Sequence, residues 1–202
     1  MATRSVHKLR ELRELLAPEH ADLVSLDDLG IAGDPVEDGL TFEANARKKA
    51  RWAALTSGLA VIADDSGLEV DALDGAPGIR TRRYAGPDAT DAENNAKLLA
   101  ALEGLPPERR GARYVCVLAL ALPGEAGAGR AATIVRRGTC RGRIATEPRG
   151  SGGFGYDPIF EPAQEPPGGR TLGLWSAAAK NEISHRARAA RRMAPVLREL
   201  GF

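Results

Sequence analysis

A chain of 202 residues, 43% hydrophobic and 27% charged, is long enough to bury a full core over 1–202 in one domain, or in one domain with a smaller lobe. Its 28 Lys and Arg against 27 Asp and Glu leave a net charge of +1, which excludes a global field for nucleic acid or an anionic membrane. Any anion must therefore be held locally. Two cysteines, Cys116 in an apolar run and Cys140 beyond it, exclude a disulfide framework and a cysteine metal cluster. With no signal peptide and no apolar stretch of membrane-spanning length, a soluble cytoplasmic protein is expected.

In chain order, Leu9, Leu12, Leu15 and Leu16 recur at helical spacing after the polar run Thr3-Arg4-Ser5-Val6-His7-Lys8, and Pro18 closes the pattern. A polar loop thus feeds a helix N-terminus, where free N–H groups favour an anion. A second helix is predicted over 41–54, with Phe42, Asn45, Ala46, Lys49, Ala50 and Ala53 on one face. Asn45 and Lys49 interrupt that stripe, either as a wet edge or as a functional pair.

A strand over 59–63 leads to Asp64-Asp65-Ser66-Gly67. Side chains alternate along a strand, so the two carboxylates cannot face the same way while it stays regular. One is free to aim at a site, with Ser66 and Gly67 bending the chain beside it. The Gly/Pro-rich stretch 74–86 reads as a structured loop. Thr90 and Glu93 form a capping box for a helix with the stripe Ala92, Ala96, Leu99 and Leu102, ended by Gly104.

Strands over 113–122, 131–137 and 139–145, with a turn over 123–129, read as an antiparallel meander beside the first α/β portion. The segment 149–158 is too glycine-rich for a core: it is either a surface loop or a binding loop offering Phe154 and Tyr156 to a heterocycle. Lys180 to Arg186 brings donors to the start of a last helix from about 184, carrying Ile183, Ala187, Ala190, Met193 and Leu197 inward, with Pro195 expected to kink or break it.

Five stretches together resemble one family, the inosine/xanthosine triphosphate pyrophosphatases, which hydrolyse non-standard purine nucleoside triphosphates to monophosphate and pyrophosphate. The first is Glu37-Asp38-Gly39-Leu40-Thr41-Phe42-Glu43. The second is Ala63-Asp64-Asp65-Ser66-Gly67-Leu68-Glu69-Val70-Asp71, running on to Arg83-Tyr84-Ala85-Gly86. Then come Gly153-Phe154-Gly155-Tyr156-Asp157-Pro158, Lys180-Asn181 and Ile183-Ser184-His185-Arg186.

The resemblance implies an elongated α/β fold, a mixed central sheet flanked by helices with a second smaller lobe and a nucleotide cleft, usually as a homodimer. It implies Asp65 as general base and Mg²⁺ ligand and Glu37 as the other metal carboxylate. Lys8, Lys49 and Asn45 would hold the triphosphate, and Thr3 and Ser5 would also bind substrate. Ser66, Phe154, Gly155, Tyr156, Asp157, Lys180, His185 and Arg186 would form the nucleoside pocket.

Residue chemistry agrees: Mg²⁺ takes few carboxylates, lysines offset phosphate charge, and lysine and arginine only donate, which favours a 6-oxo purine over adenine. The first loop departs from the family's Thr/Ser-Gly-Asn-Pro-Gly-Lys pattern, and only Met1 and Ala2 precede it. That departure keeps open a nucleotide-binding protein of the same fold with little turnover.

Overall fold

The computed structural model describes every residue except 19 and 124–131, so the turn expected over 123–129 lies largely outside the described residues. Its helices are α1 (Val6–Leu16), α2 (Phe42–Ser57), α3 (Asp91–Ala101), α4 (Ala177–Ile183) and α5 (His185–Glu199). Strands β1 (Val61–Val70), β2 (Gly111–Ala121), β3 (Thr133–Ile144) and β4 (Phe160–Pro162) form a sheet in the order β1-β2-β3-β4. Consecutive strands are neighbours, as a meander requires. β3 and β4 pair antiparallel with Gly142 opposite Pro162. Ala2 adds an isolated parallel bridge to Ala63, which makes the pairing mixed.

The chain divides into two compact units: Met1–Asp65, Cys116–Gly138 and Arg186–Phe202 in the first, Ser66–Val115 and Thr139–His185 in the second. The first is built on Leu12, Leu16, Ile62, Leu118, Leu120, Met193 and Leu197. The second has its own core, including Leu68, Leu98, Leu102, Ile144, Tyr156 and Phe160. A fully buried leucine contributes about 1.5–3 kcal/mol, so each core is a substantial source of stability.

Several elements run further than their sequence suggests. β1 does not bend at Ser66-Gly67 but continues to Val70, because Leu68 and Val70 are fully buried and anchor the extension. The strands expected over 131–137 and 139–145 are one, β3, with buried Gly138 as an ordinary member. Gly142 is there for closeness: a Cβ would lie 2.2 Å from the Glu161 carbonyl oxygen. α2 runs on to Ser57 and stops at Gly58, whose φ of +69° suits a left-handed cap. Pro195 lies inside α5 without ending it, since Met193, Val196 and Leu197 bury their side chains on both sides of the proline.

The capping box of α3 is present, with Glu93 N–H on Thr90 Oγ1 and Thr90 N–H on Glu93 Oε2. Its apolar stripe is the expected one in part, since Leu102 is buried and Leu99 packs against the second core. Ala92 and Ala96 are exposed, and the inner face is Asn94, Asn95, Leu98 and Leu102. The two asparagines are turned inward because loop backbone groups await them there.

Candidate functional site

In the first unit, the alternation of β1 sends its adjacent carboxylates to different partners. Asp64 is 1% exposed and meets the Lys8 ammonium, the Arg186 Nε at 3.2 Å and the Cys116 thiol, which donates to Oδ2 at 3.1 Å. Burial alone would raise its pKa, but Lys8 and Arg186 outweigh that and hold the carboxyl well below the usual range. Arg186, itself buried, also pairs with Glu11 of α1. Asp64 is thus a fixed anion among fixed cations.

Asp65 faces Lys49, whose Nζ donates to Oδ1 at 2.8 Å and lies 3.3 Å from Glu37 Oε1. Burial raises the Asp65 pKa above its ordinary value against the opposing pull of Lys49. Burial would lower that of Lys49, but Asp65 and Glu37 raise it. Two carboxylates therefore converge on one ammonium, Asp65 almost sequestered and Glu37 with a side chain 40% exposed. That donor set fits Mg²⁺, which binds through one or two carboxylates together with substrate phosphates and retained waters. Among the described residues no group of three or more His, Cys, Asp or Glu gathers as an all-protein metal cage.

Asn45 is buried on α2, where its Oδ1 accepts the Gly39 N–H at 2.8 Å, so it fixes the segment carrying Glu37. Ser5 caps α1 by accepting the Lys8 N–H, and Thr3 Oγ1 accepts the Ser5 N–H at 3.2 Å.

In the second unit, Asp157 gathers three donors: Lys180 Nζ at 2.7 Å, the Phe154 N–H at 3.0 Å and the Tyr114 hydroxyl at 3.3 Å. Lys180 also lies 4.6 Å from the Phe154 ring centroid. α4, a helix of its own ahead of the expected last one, places Lys180 at 5% exposure. His185 stacks on Tyr114, ring centroids 4.7 Å apart and planes 8° from parallel. Tyr156 is buried, its hydroxyl donating to the Thr81 carbonyl at 2.7 Å, so only Phe154 of the two loop aromatics is half exposed. Ser66 is half buried on β1.

Arg186 meets Asp64 and Glu11 in the first unit, and Lys180 meets Asp157 in the second. α4 ends at Ser184, which is extended. Sequence reading also misses Asp91, Asn94 and Asn95, which bond to the loops around Gly155 and Ala85. The only signal was an adjacent asparagine pair at an inward register of a capped helix.

The sequence pattern of the Ham1 family matches residues 1–196. This chain belongs to the Ham1 family. It is 51% identical over 189 residues to the dITP/XTP pyrophosphatase of Syntrophobacter fumaroxidans, covering 94% of this chain and 77% of that protein. It is 47% identical to the dITP/XTP pyrophosphatase of Mycolicibacterium paratuberculosis, over 99% of this chain and 95% of that protein. Among solved structures, the HAM1 protein from Coxiella burnetii matches with a TM-score of 0.86 at 41% identity, covering 98% of this chain and 96% of that one.

The first loop has its own anchorage. Arg4 bonds to Asp34 Oδ2 at 2.8 Å, to Asp27, and to the carbonyls of Ile31 and Gly33. The arginine ties the loop to 27–34, and Lys8 still reaches Asp64.

Proposed function

We propose that this chain hydrolyses non-standard purine nucleoside triphosphates, those of inosine, deoxyinosine and xanthosine, to the monophosphate and pyrophosphate. The observation that carries this reading is Asp65, a carboxylate made more basic by burial and held beside a lysine and a second carboxylate. A group that only had to bind an anion would not be a carboxylate.

In this mechanism Asp65 orients the attacking water and accepts its proton, its raised proton affinity making it a better base than a surface aspartate. Lys8 and Lys49 offset the charge of the phosphates, and the anionic partner that each now holds is exchanged in part for substrate. A Mg²⁺ ion held by Glu37 and Asp65 would supply charge neutralisation for the leaving pyrophosphate. At the base end, the Lys180 ammonium only donates, which suits a 6-oxo group and opposes the 6-amino group of adenine. Phe154 offers a half-exposed ring face for stacking.

The test is pyrophosphate release from inosine and xanthosine triphosphates with and without Mg²⁺, beside adenosine triphosphate. Turnover is expected only with the metal, and adenosine triphosphate should be slower by about tenfold or more. No release from either 6-oxo substrate in Mg²⁺ overturns the reading.

A further inference from the structure

Helix α3 meets the glycine-rich loop with polar side chains. Asp91 and Asn95 lie one turn apart and take both backbone groups of Gly155: its N–H donates to Asp91 Oδ2 at 2.6 Å, and Asn95 Nδ2 donates to its carbonyl at 3.1 Å. Gly155, at φ +63°, sits directly between Phe154 and Tyr156. The preceding peptide is held too, since the Phe154 N–H donates to Asp157. Next along the helix, Asn94 accepts from the Ala85 N–H at 2.8 Å and donates to the Arg82 carbonyl at 2.9 Å. That stretch includes Thr81, whose carbonyl receives the Tyr156 hydroxyl.

Stability does not account for asparagine at position 95. Its side chain belongs to a residue only 7% exposed, and its Oδ1 is buried with no hydrogen-bond partner. A buried carboxamide oxygen left unpaired is a standing cost, and a leucine of similar shape would remove it. What asparagine alone supplies is the donor to Gly155. A group kept at a cost to the fold, with its single bond directed at the loop that carries Phe154, is spent on placing that loop.

We infer that Asp91 and Asn95 are positioning residues for the purine, gripping Gly155 from both sides and so fixing the Phe154 ring against which the base stacks. This rests on the assignment of the Phe154 loop to the base under the proposed function. Both side chains bond to backbone groups of the loop. Their effect is therefore on recognition of the nucleoside, and it leaves the handling of phosphate alone.

The experiment compares wild type with Asn95→Leu, Asp91→Ala and Asp91→Asn. Thermal unfolding and steady-state pyrophosphate release from inosine triphosphate are measured, with inorganic tripolyphosphate as competing ligand. For Asn95→Leu the melting midpoint should equal or exceed that of wild type, while KM rises about tenfold, the scale of one lost hydrogen bond. Turnover should stay within about threefold and the tripolyphosphate inhibition constant should not move. Asp91→Ala should repeat the KM rise, and Asp91→Asn, which keeps an acceptor for the Gly155 N–H, should restore it. An unchanged KM in Asn95→Leu overturns the inference. So does a lowered midpoint with KM and the tripolyphosphate constant rising together, which marks a residue that only holds the fold. If wild type releases no pyrophosphate from inosine triphosphate, the functional reading fails first and the inference falls with it.

Discussion

Two lysine–aspartate pairs of nearly equal length do opposite work in the two units. Lys180 and Asp157 meet at 2.7 Å with side chains 6% and 2% exposed, and Asp157 is saturated by a backbone N–H and a tyrosine hydroxyl as well. Lys49 and Asp65 meet at 2.8 Å with 12% and 11% exposure, and Lys49 divides itself between Asp65 and the half-open Glu37. The saturated Asp157 is a fixture that holds Lys180 in place, because exchanging any of its partners leaves a buried group unpaired. An unsaturated pair at the edge of solvent can trade its internal partner for a ligand at small cost. The lesson is that distance alone does not separate scaffold from chemistry; the number of remaining partners and the access of water do.

The contrast is sharpest at Asp65. Asp65→Asn should lower turnover by ~10²–10⁴-fold, the range supplied by a general base, while the melting midpoint barely moves because Lys49 keeps Glu37. Pyrophosphate release and thermal unfolding on the same preparation check both halves. Loss of turnover in Asp64→Asn with Asp65→Asn spared would invert the roles assigned to the two faces of β1.

Next in size, Asp157→Ala should destabilise the fold by about 3–5 kcal/mol, since it removes the buried carboxylate that Lys180, the Phe154 N–H and the Tyr114 hydroxyl share. Denaturant unfolding measures this, and a loss below about 1 kcal/mol would show that the second pair is as exchangeable as the first.

A smaller effect is expected at Glu37. Glu37→Gln should raise the Mg²⁺ concentration for half-maximal turnover by about tenfold or more, as loss of a supporting anion does at metal sites. An unmoved metal titration would remove Glu37 from the exchangeable pair.

The smallest effect concerns neutral donors. Burial pushes the Cys116 thiol beside Asp64 well above its ordinary pKa, and burial does the same to the Tyr114 hydroxyl beside Asp157. Their folded pKa values exceed the unfolded ones, so their contribution is complete at neutral pH and is lost as pH rises past about 8.5 for the thiol and about 10 for the phenol. Unfolding curves across this range should show Cys116→Ala removing the earlier part of the decline and Tyr114→Phe the later part.

Much of this was legible in the sequence where a local rule was sufficient. The Thr90–Glu93 capping box and the divergence of Asp64 from Asp65 follow from covalent geometry and strand pleat, and no distant partner is needed to state them. What stayed hidden depended on partners far along the chain. Asn94 and Asn95 look like surface residues until loops 82–85 and 155 arrive to be bonded. The partners of Lys180 and Arg186 were equally hidden, since Asp157 and Asp64 lie 23 and 122 positions away. Pro195 is tolerated because the packing of α5 outweighs one lost backbone bond.

β1 carries one further consequence, for how the chain finds its sheet. If the strand slipped by one residue toward β2's wrong partner, Ala63 or Asp65 would take the place of Asp64 and every side chain would change face. Ala63 in that place would take from Lys8 and Arg186 the carboxylate that the strand supplies and leave Glu11 as the carboxylate beside Arg186. Asp65 in that place would neutralise them but put Ser66 opposite Lys49. Only one alignment satisfies both lysines and the arginine, so the cluster around Asp64 favours the native register over its one-residue slips.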